Sequence, residues 1–397
     1  MTSDAEVDDT ILRRYSLEKQ QQIGKGSYGV VFAAKDKRTG EQVALKKCFD
    51  AFRNTTDAKR TYREVTYLQR IRHENIVSIK SVSLSSDGKD LYAAFELMEA
   101  DLSSVIKIPS IFQPSHIKFV IYQTLKALKY LHSAGLVHRD LKPSNILIDS
   151  SCRIKLADFG LVRSIADAEA AHQQGRHLTD YVATRWYRAP EILLGSTRYT
   201  QTVDLWAVGC IAAEMVRGKP LFPGGSTMNT IERILEYTGR PSAGAIKSTR
   251  SSFAETMINE GLPASAGSSP RVSLSTFCKG TGAPKEALVL MRRCLAFNPQ
   301  KRGTAKALLR HEYLADFHDE AKEPSYPNGP IDIAIDDDLK LSPQDYRDAL
   351  EQQIESEQRL EALKAAREKA RRRGSLAAAT AEPALIDEMS RMDVRSS

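Results

Sequence analysis

The sequence predicts an α+β chain, with a small β-rich half followed by a larger helical half. Three observations carry this. Apolar and β-branched runs crowd the first hundred residues, from Val30-Val31-Phe32 to Val43-Ala44-Leu45, parted by the turn formers Arg38-Thr39-Gly40. From Pro114 the period changes, and Ile117, Val120, Ile121, Leu125, Leu128 and Leu131 recur at helical spacing. The length of 397 residues suits two or three folding units at roughly 150 residues each.

In chain order, residues 1–9 are acidic and polar, and residues 1–14 are expected to be disordered. They lack the basic start and apolar centre of a secretory signal, and the chain does not begin Met-Gly. Strands are expected over residues 22–49, a charged helix over about 56–71, and a strand pair over 76–97 split by Ser85-Ser86-Asp87-Gly88. The chain then reads as helical to about His311, except for short strands at 146–149 and 154–156. A Ser/Gly/Ala/Pro-rich patch over 241–284 reads as a loop-rich insertion. After a Pro/Asn/Gly-rich linker and Asp336-Asp337-Asp338, a charged helix is expected over about 343–373. Ser342 caps it and Pro343 suits its first turn. Tyr346, Leu350 and Ile354 share one face, so its first part packs back, while basic residues 364–373 read as a solvated face, with partner docking or nuclear import as the alternatives. The remainder, Ala-rich and polar, reads as disordered.

Composition excludes several classes. Apolar content is an ordinary 42%, and no run of about 18 uncharged apolar residues calls for a membrane span. Cys48, Cys152, Cys210, Cys278 and Cys294 are scattered and form no CxxC pair, which fits a reduced compartment and no zinc site. A net charge of +7 is modest for this length and does not argue for nucleic-acid binding. The expected location is cytoplasmic, with the nucleus as the alternative, and the expected state is a monomer.

The chemistry-bearing residues begin with Gly24-Lys25-Gly26-Ser27-Tyr28-Gly29. Strand-like residues flank this run on both sides, which suits a hairpin over phosphates rather than the strand-to-helix turn of a dinucleotide site. Val43-Ala44-Leu45-Lys46 ends a strand on a lysine, and Glu64 on the following helix is the acid that would hold it. The strongest signal is His138-Arg139-Asp140-Leu141-Lys142-Pro143-Ser144-Asn145, followed by Asp158-Phe159-Gly160.

Through these motifs the chain resembles the eukaryotic protein kinase catalytic domain over about residues 15–317. The resemblance implies a bilobal fold: N-lobe 15–97, C-lobe 98–318 and a C-terminal extension 319–397. The activation segment is then 158–191, and the insertion widens to about 224–284. It implies that ATP and Mg²⁺ are bound. Asp140 and Lys142 would act at the reacting groups, with Asn145 and Asp158 on the metal. Ile23, Gly24, Lys25, Gly26, Ser27, Tyr28, Gly29, Val31, Ala44, Lys46, Glu64, Phe95, Glu96, Met98, Asp101 and Leu147 would surround the nucleotide. Glu191 and Arg302 would form a buried pair, and Asp204 would brace the catalytic loop.

Thr179-Asp180-Tyr181, just before Val182-Ala183-Thr184-Arg185-Trp186-Tyr187-Arg188, is similar to the MAP kinase activation lip. Phosphates on Thr179 and Tyr181 would need cations. Arg60, Arg63, Arg139 and Arg163 match the phosphothreonine site, and Arg185 and Arg188 the phosphotyrosine site. Residues 49–61 and the insertion look like the atypical extracellular-signal-regulated kinases called the seventh and eighth. That subclass implies self-phosphorylation and Ser/Thr-Pro substrates, with an upstream kinase and phosphatases as further partners. A MAK-like or cyclin-dependent-like kinase, or a kinase-shaped scaffold, is the alternative. Asp319, Glu320 and Glu323 stand where the family has an acidic docking patch, with Lys322 breaking it.

Overall fold

The computed structural model describes residues 6–26, 29–166, 184–198, 200–263, 265–266, 273–331, 333 and 341–372. Its described residues fall into two compact units. The first draws on Met1–Arg70, Ser78–Leu97 and Asp332–Ser397, the second on Ile71–Val77 and Met98–Ile331.

The first unit is built on a five-stranded antiparallel sheet of β1 (Tyr15–Gly26), β2 (Gly29–Asp36), β3 (Gln42–Cys48), β4 (Ile79–Leu84) and β5 (Leu91–Glu96), in the order β1-β2-β3-β5-β4. Side chains alternate across a strand, and β3 shows it: Val43, Leu45 and Lys47 are buried, while Ala44, Lys46 and Cys48 are half-exposed. One sheet face forms the core through Val30, Phe32, Ala34, Val43, Leu45, Tyr92 and Ala94.

The cover on that face corrects the expectation of a disordered start. Residues 9–14 form helix α1 (Asp9–Arg14), and Val7, Ile11 and Tyr15 join the sheet core. Val7 lies just before the helix and Ile11 within it, and both reach the sheet core; the charges around them hid that pair in the composition. Asp8 fixes the entry. One of its carboxylate oxygens accepts the Thr10 N–H at 2.8 Å, the other the Ser86 N–H at 2.9 Å and hydroxyl at 2.7 Å.

Helix α2 (Thr55–Arg70) buries Tyr62, Arg63, Glu64, Val65, Tyr67 and Leu68. A long terminal helix runs over Pro343–Arg372. Its first turns pack on α2. Tyr346, Leu350 and Ile354 are buried, and the Tyr62 and Tyr346 rings lie 5.8 Å apart. Gln353 accepts from the Thr66 hydroxyl at 3.2 Å and donates to Gln69. At the helix start Ser342 Oγ accepts from the Asp345 N–H at 3.3 Å while Asp345 accepts from the Ser342 N–H at 2.7 Å, a reciprocal cap.

The second unit is mainly helical. Pro114–Ser133 and Thr202–Arg217 carry buried residues around most of their circumference, as apolar helices at the centre of a domain must. Small sheets join Ala100–Asp101 to Ile146–Ile148 and Ile154–Leu156, and Leu136–Val137 to Arg163–Ser164. Arg302 and Glu191 pair at 2.7 and 2.8 Å with almost no exposure. Arg302 also donates to the carbonyls of Ala296, Phe297 and Thr202, so the buried charge is fully engaged. The patch read as loop-rich holds three short helices, Ala243–Ser248, Ala254–Asn259 and Leu274–Phe277. Its serines include helix caps: Ser242 accepts from Ala245 N–H and Ser273 from Thr276 N–H. Among the described residues no helix is long and apolar enough to cross a membrane.

Candidate active site

The first unit presents one half of the candidate residues. Cross-strand register pairs Val31 with Lys46 and Ala44 with Phe95. Paired residues point to the same face, so Val31, Ala44, Lys46 and Phe95 share the sheet face opposite the core. Lys46 Nζ reaches Glu64 Oε1 at 2.6 Å and Oε2 at 2.8 Å. The expected strand-to-helix ion pair is therefore formed, and the lysine keeps about a quarter of its side chain exposed (27%). Gly24, Lys25, Gly26 and Gly29 form a hairpin, with Lys25 opposite Val30 and Gly26 opposite Gly29. Ser27 and Tyr28 lie outside the described residues. Ile23 is 48% exposed, as an apolar residue kept for a ligand would be.

The glycines differ in their reasons. A Cβ on Gly29 would stand 2.1 Å from the Lys47 carbonyl oxygen, so this glycine is demanded by the sheet itself. A Cβ on Gly26 meets nothing within 4 Å. Glu96 Oε1 accepts the Ser78 N–H at 3.0 Å. Arg60 and Arg63 sit on α2, one half-buried and the other buried.

The second unit presents the other half. Asp140 is 6% exposed. Its Oδ2 receives Lys142 Nζ at 2.6 Å and Asn145 Nδ2 at 3.1 Å, and Asn145 Nδ2 also donates to the Asp140 carbonyl at 2.9 Å. Asp204, fully buried, holds the loop from below. It accepts the N–H groups of His138 and Arg139, both at 2.9 Å, and faces His132 Nε2 at 2.9 Å. Burial alone would raise the Asp204 pKa, but the contacts with His132 and His138 outweigh it and hold the carboxyl below its ordinary value. Asp158 has φ +61°, in the left-handed region, and Arg139 has φ +68°. Such backbone is sparsely populated outside glycine and gathers at functional sites. The Ala157 N–H donates to the Asn145 carbonyl at 2.9 Å, tying the Asp158 turn to the catalytic loop. Asp101 and Leu147 are direct strand partners. Asp101 also caps a helix, accepting the Ser104 N–H at 2.9 Å and hydroxyl at 2.6 Å. Met98 is half-buried at the start of this unit.

Arg139, Asp140, Thr184, Tyr187 and Arg188 line one depression. Arg185 opens the short turn Arg185–Tyr187, and Arg163 is buried in a strand beside Val137. Thr179 and Tyr181 lie outside the described residues.

Two residues escaped the sequence reading. Glu214 accepts the Tyr187 hydroxyl at 2.7 Å in the interior. Burial pushes its pKa up, and the tyrosine's hydrogen bond opposes this only in part. His132 is the other, through its contact with Asp204. A carboxylate in the apolar run Cys210-Ile211-Ala212-Ala213-Glu214-Met215 was the available signal for the first; nothing local marks the second.

The acidic patch is closed within the chain. Asp319 pairs with Lys322 at 3.0 Å and Glu320 with Arg310 at 3.0 Å. Glu323 is 3% exposed and sits between His318 at 2.8 Å and Lys129 at 3.7 Å.

The donor set suits Mg²⁺. Because Asn145 turns Nδ2 toward Asp140, the amide oxygen is the atom left for a cation, and with the Asp158 carboxylate it offers hard oxygen ligands.

A family model described as the protein kinase domain matches residues 17–314. Extracellular signal-regulated kinase 2 of Dictyostelium discoideum is 50% identical over 88% of this chain and 92% of that protein. Mitogen-activated protein kinase 15 of Xenopus laevis is 46% identical over 89% of this chain and 58% of its own length. Extracellular signal-regulated kinase 7 of Drosophila melanogaster is 42% identical over 89% of this chain and 38% of its own length. The chain belongs to the protein kinases and, within them, to the MAP kinases of the atypical kind. It is a Ser/Thr protein kinase, of a family that uses ATP and Mg²⁺ and acts on protein substrates under upstream regulators.

Proposed function

We propose that the chain transfers the γ-phosphoryl group of ATP to Ser or Thr followed by Pro, and that phosphorylation of its own Thr179 and Tyr181 gates this activity. The observation that carries the reading is the assembled set of Asp140, Lys142 and Asn145, fixed from beneath by Asp204. Asp140 orients the substrate hydroxyl and takes its proton as the oxygen attacks the γ-phosphorus and ADP leaves. Lys142 screens the negative charge of the transferring group. Asn145 and Asp158 would hold Mg²⁺, which would supply charge to offset the phosphoryl oxygens. In the first unit Lys46, kept in place by Glu64, meets the α- and β-phosphates.

Proline selection rests on the segment 183–188, whose shelf favours a residue that brings no N–H. Lip gating rests on Thr-Asp-Tyr and on Arg60, Arg63, Arg139, Arg163, Arg185 and Arg188, with the family relatives as support. A cytoplasmic or nuclear location belongs to the same proposal, supported by five free cysteines.

Expression in bacteria, followed by mass spectrometry of the lip with and without Mg-ATP, tests the reading. Wild type gains phosphate on Thr179 and Tyr181, and Asp140→Asn gains none. Phosphate on Tyr181 in the Asp140→Asn protein overturns self-phosphorylation. Equal rates on Ser-Pro and Ser-Ala peptides overturn the proline preference.

A further inference from the structure

Strand β4 is the last of its sheet, and its outer edge borders a groove. The order β1-β2-β3-β5-β4 leaves β4 paired on one side only. The Ser85 N–H donates to the Asp90 carbonyl at 2.9 Å, and Ser83 stands opposite Tyr92. Hydrogen-bonded and non-bonded pairs alternate along an antiparallel ladder. The backbone of Ser83 and Ser85 is therefore turned to β5, and the N–H and C=O groups of Val82 and Leu84 are turned outward. Proteins commonly guard such an edge with a lysine. The lysine of β4, Lys80, is instead drawn to Glu41 at 2.8 Å.

A cavity of about 320 Å³ lies along this edge in the first unit, within the range of sites that bury a ligand. Ser83 and Leu84 both line it. Consecutive strand residues point to opposite faces, so a cavity that meets both wraps the edge instead of lying on one face. The register says which face is which. Ser83 is paired with Tyr92, part of the core covered by α1, and on this side Thr10 and Ile11 form the wall. Val82 shares the face of Leu84 and is paired with Ala93, itself paired with Lys46. That is the face of Glu64 and α2, where the terminal helix packs, and on this side Glu351, Ile354 and Glu355 form the wall.

The two walls differ in chemistry. The α1 wall is uncharged and carries Ile11. The wall of the terminal helix sets two carboxylates beside Ile354. Glu351 shares its charge with Arg347 at 2.9 Å, and Glu355 is exposed. An extended segment laid along β4 turns alternate side chains to the two walls, so the matching pattern is apolar toward α1 and cationic toward Glu355.

We propose that this groove takes an extended segment of a partner protein, which adds to β4 as a sixth strand and carries Lys or Arg in alternation with apolar residues. Main-chain hydrogen bonds to Val82 and Leu84 hold it, and the two walls select it.

Fluorescence anisotropy on the full chain tests this, with a labelled peptide of alternating arginine and valine as the probe. Wild type binds it saturably in the micromolar range. Glu355→Lys weakens binding about tenfold or more, by setting like charges against each other. Glu355 is exposed, so the melting temperature of the variant stays unchanged. Methylating the peptide nitrogens that face β4 also weakens binding about tenfold or more, because carbonyls of the strand lose their donors. Amide hydrogen exchange over β4 slows when the peptide binds. A lack of saturable binding overturns the proposal. So does binding that E355K leaves unchanged, binding indifferent to the methylated nitrogens, or protection that spares β4. Exchange over β4 that slows with protein concentration in the absence of peptide makes a second copy the occupant, and overturns it as well.

Discussion

At the scale of single residues, chemistry and support separate cleanly. Lys46 is held by Glu64 at both carboxylate oxygens. Glu64→Gln keeps the shape and removes the charge that aims the lysine. The expected result is a kcat/KM about 10- to 100-fold lower with an unchanged melting temperature, since positioning groups act on rate before stability. A steady-state assay beside a thermal melt checks it. Tyr187→Phe reads out differently. It removes the hydroxyl that donates to Glu214, a carboxylate whose burial already raises its pKa. Leaving a buried acceptor unmade costs about 1–3 kcal/mol, so urea unfolding at neutral pH should show a loss in that range. The catalytic set was legible because phosphoryl transfer restricts residue type and order, and Asp140, Asn145 and Asp158 fall within nineteen positions of sequence. Glu214 and His132 were not. Their partners Tyr187 and Asp204 are 27 and 72 residues away, and only the fold joins them.

At the scale of elements, the two ends of the chain contribute to the first unit in unequal ways. Helix α1 is short and charged, and its stability comes from two apolar residues and the Asp8 clamp on Ser86. Ile11→Ala removes a side chain that is 4% exposed, and a large-to-small change in a core costs about 2–4 kcal/mol. Chemical denaturation measures it; a loss below about 0.5 kcal/mol would mean that α1 does not rest on the sheet. The terminal helix acts on α2. Tyr346 is 1% exposed and lies against Tyr62, one turn or less from Glu64. Tyr346→Ala should therefore lower both stability, by about 3 kcal/mol, and kinase rate, because the same helix carries the acid that holds Lys46. A loss of stability with full specific activity at a temperature where the variant stays folded would separate the two. The terminal helix could be read from the sequence, through Ser342, Pro343 and the spacing of Tyr346, Leu350 and Ile354. Helix α1 could not, since six residues with Ile11 and Leu12 adjacent leave no period to count. The insertion sits between these cases. Its serines were seen as loop formers, yet Ser242 and Ser273 cap helices, and a serine looks the same in either role until its N–H partner is known.

At the scale of the whole molecule, the acids Asp319, Glu320 and Glu323 are closed in pairs within the chain. One half-buried group is different, and it links global stability to pH. His73 lies against the Tyr130 ring at 4.9 Å, and its Nδ1 accepts the Asn75 N–H at 3.0 Å. That bond requires the neutral ring with its proton on Nε2. Burial first, and then the positive charge of Lys126, lower its pKa from 6.5 to about 4. In the unfolded chain the ring titrates at its ordinary value. Between pH 6.5 and 4 the unfolded state therefore binds a proton that the folded state refuses. Stability is complete above pH 6.5 and falls as the pH drops through that window, by about 3 kcal/mol from this group when fully expressed. Asp204, whose carboxyl stays ionised to lower pH in the fold, loses its contribution only below the ordinary carboxylate range, and Glu214 works in the opposite sense as it protonates. The histidine term is isolated by His73→Gln, which carries no titrating proton. Melting temperatures measured at pH 7 and pH 5 should differ by less in the variant than in the wild type. Equal differences in the two proteins would show that the ring is protonated in the folded chain, and that the Asn75 N–H is not its partner.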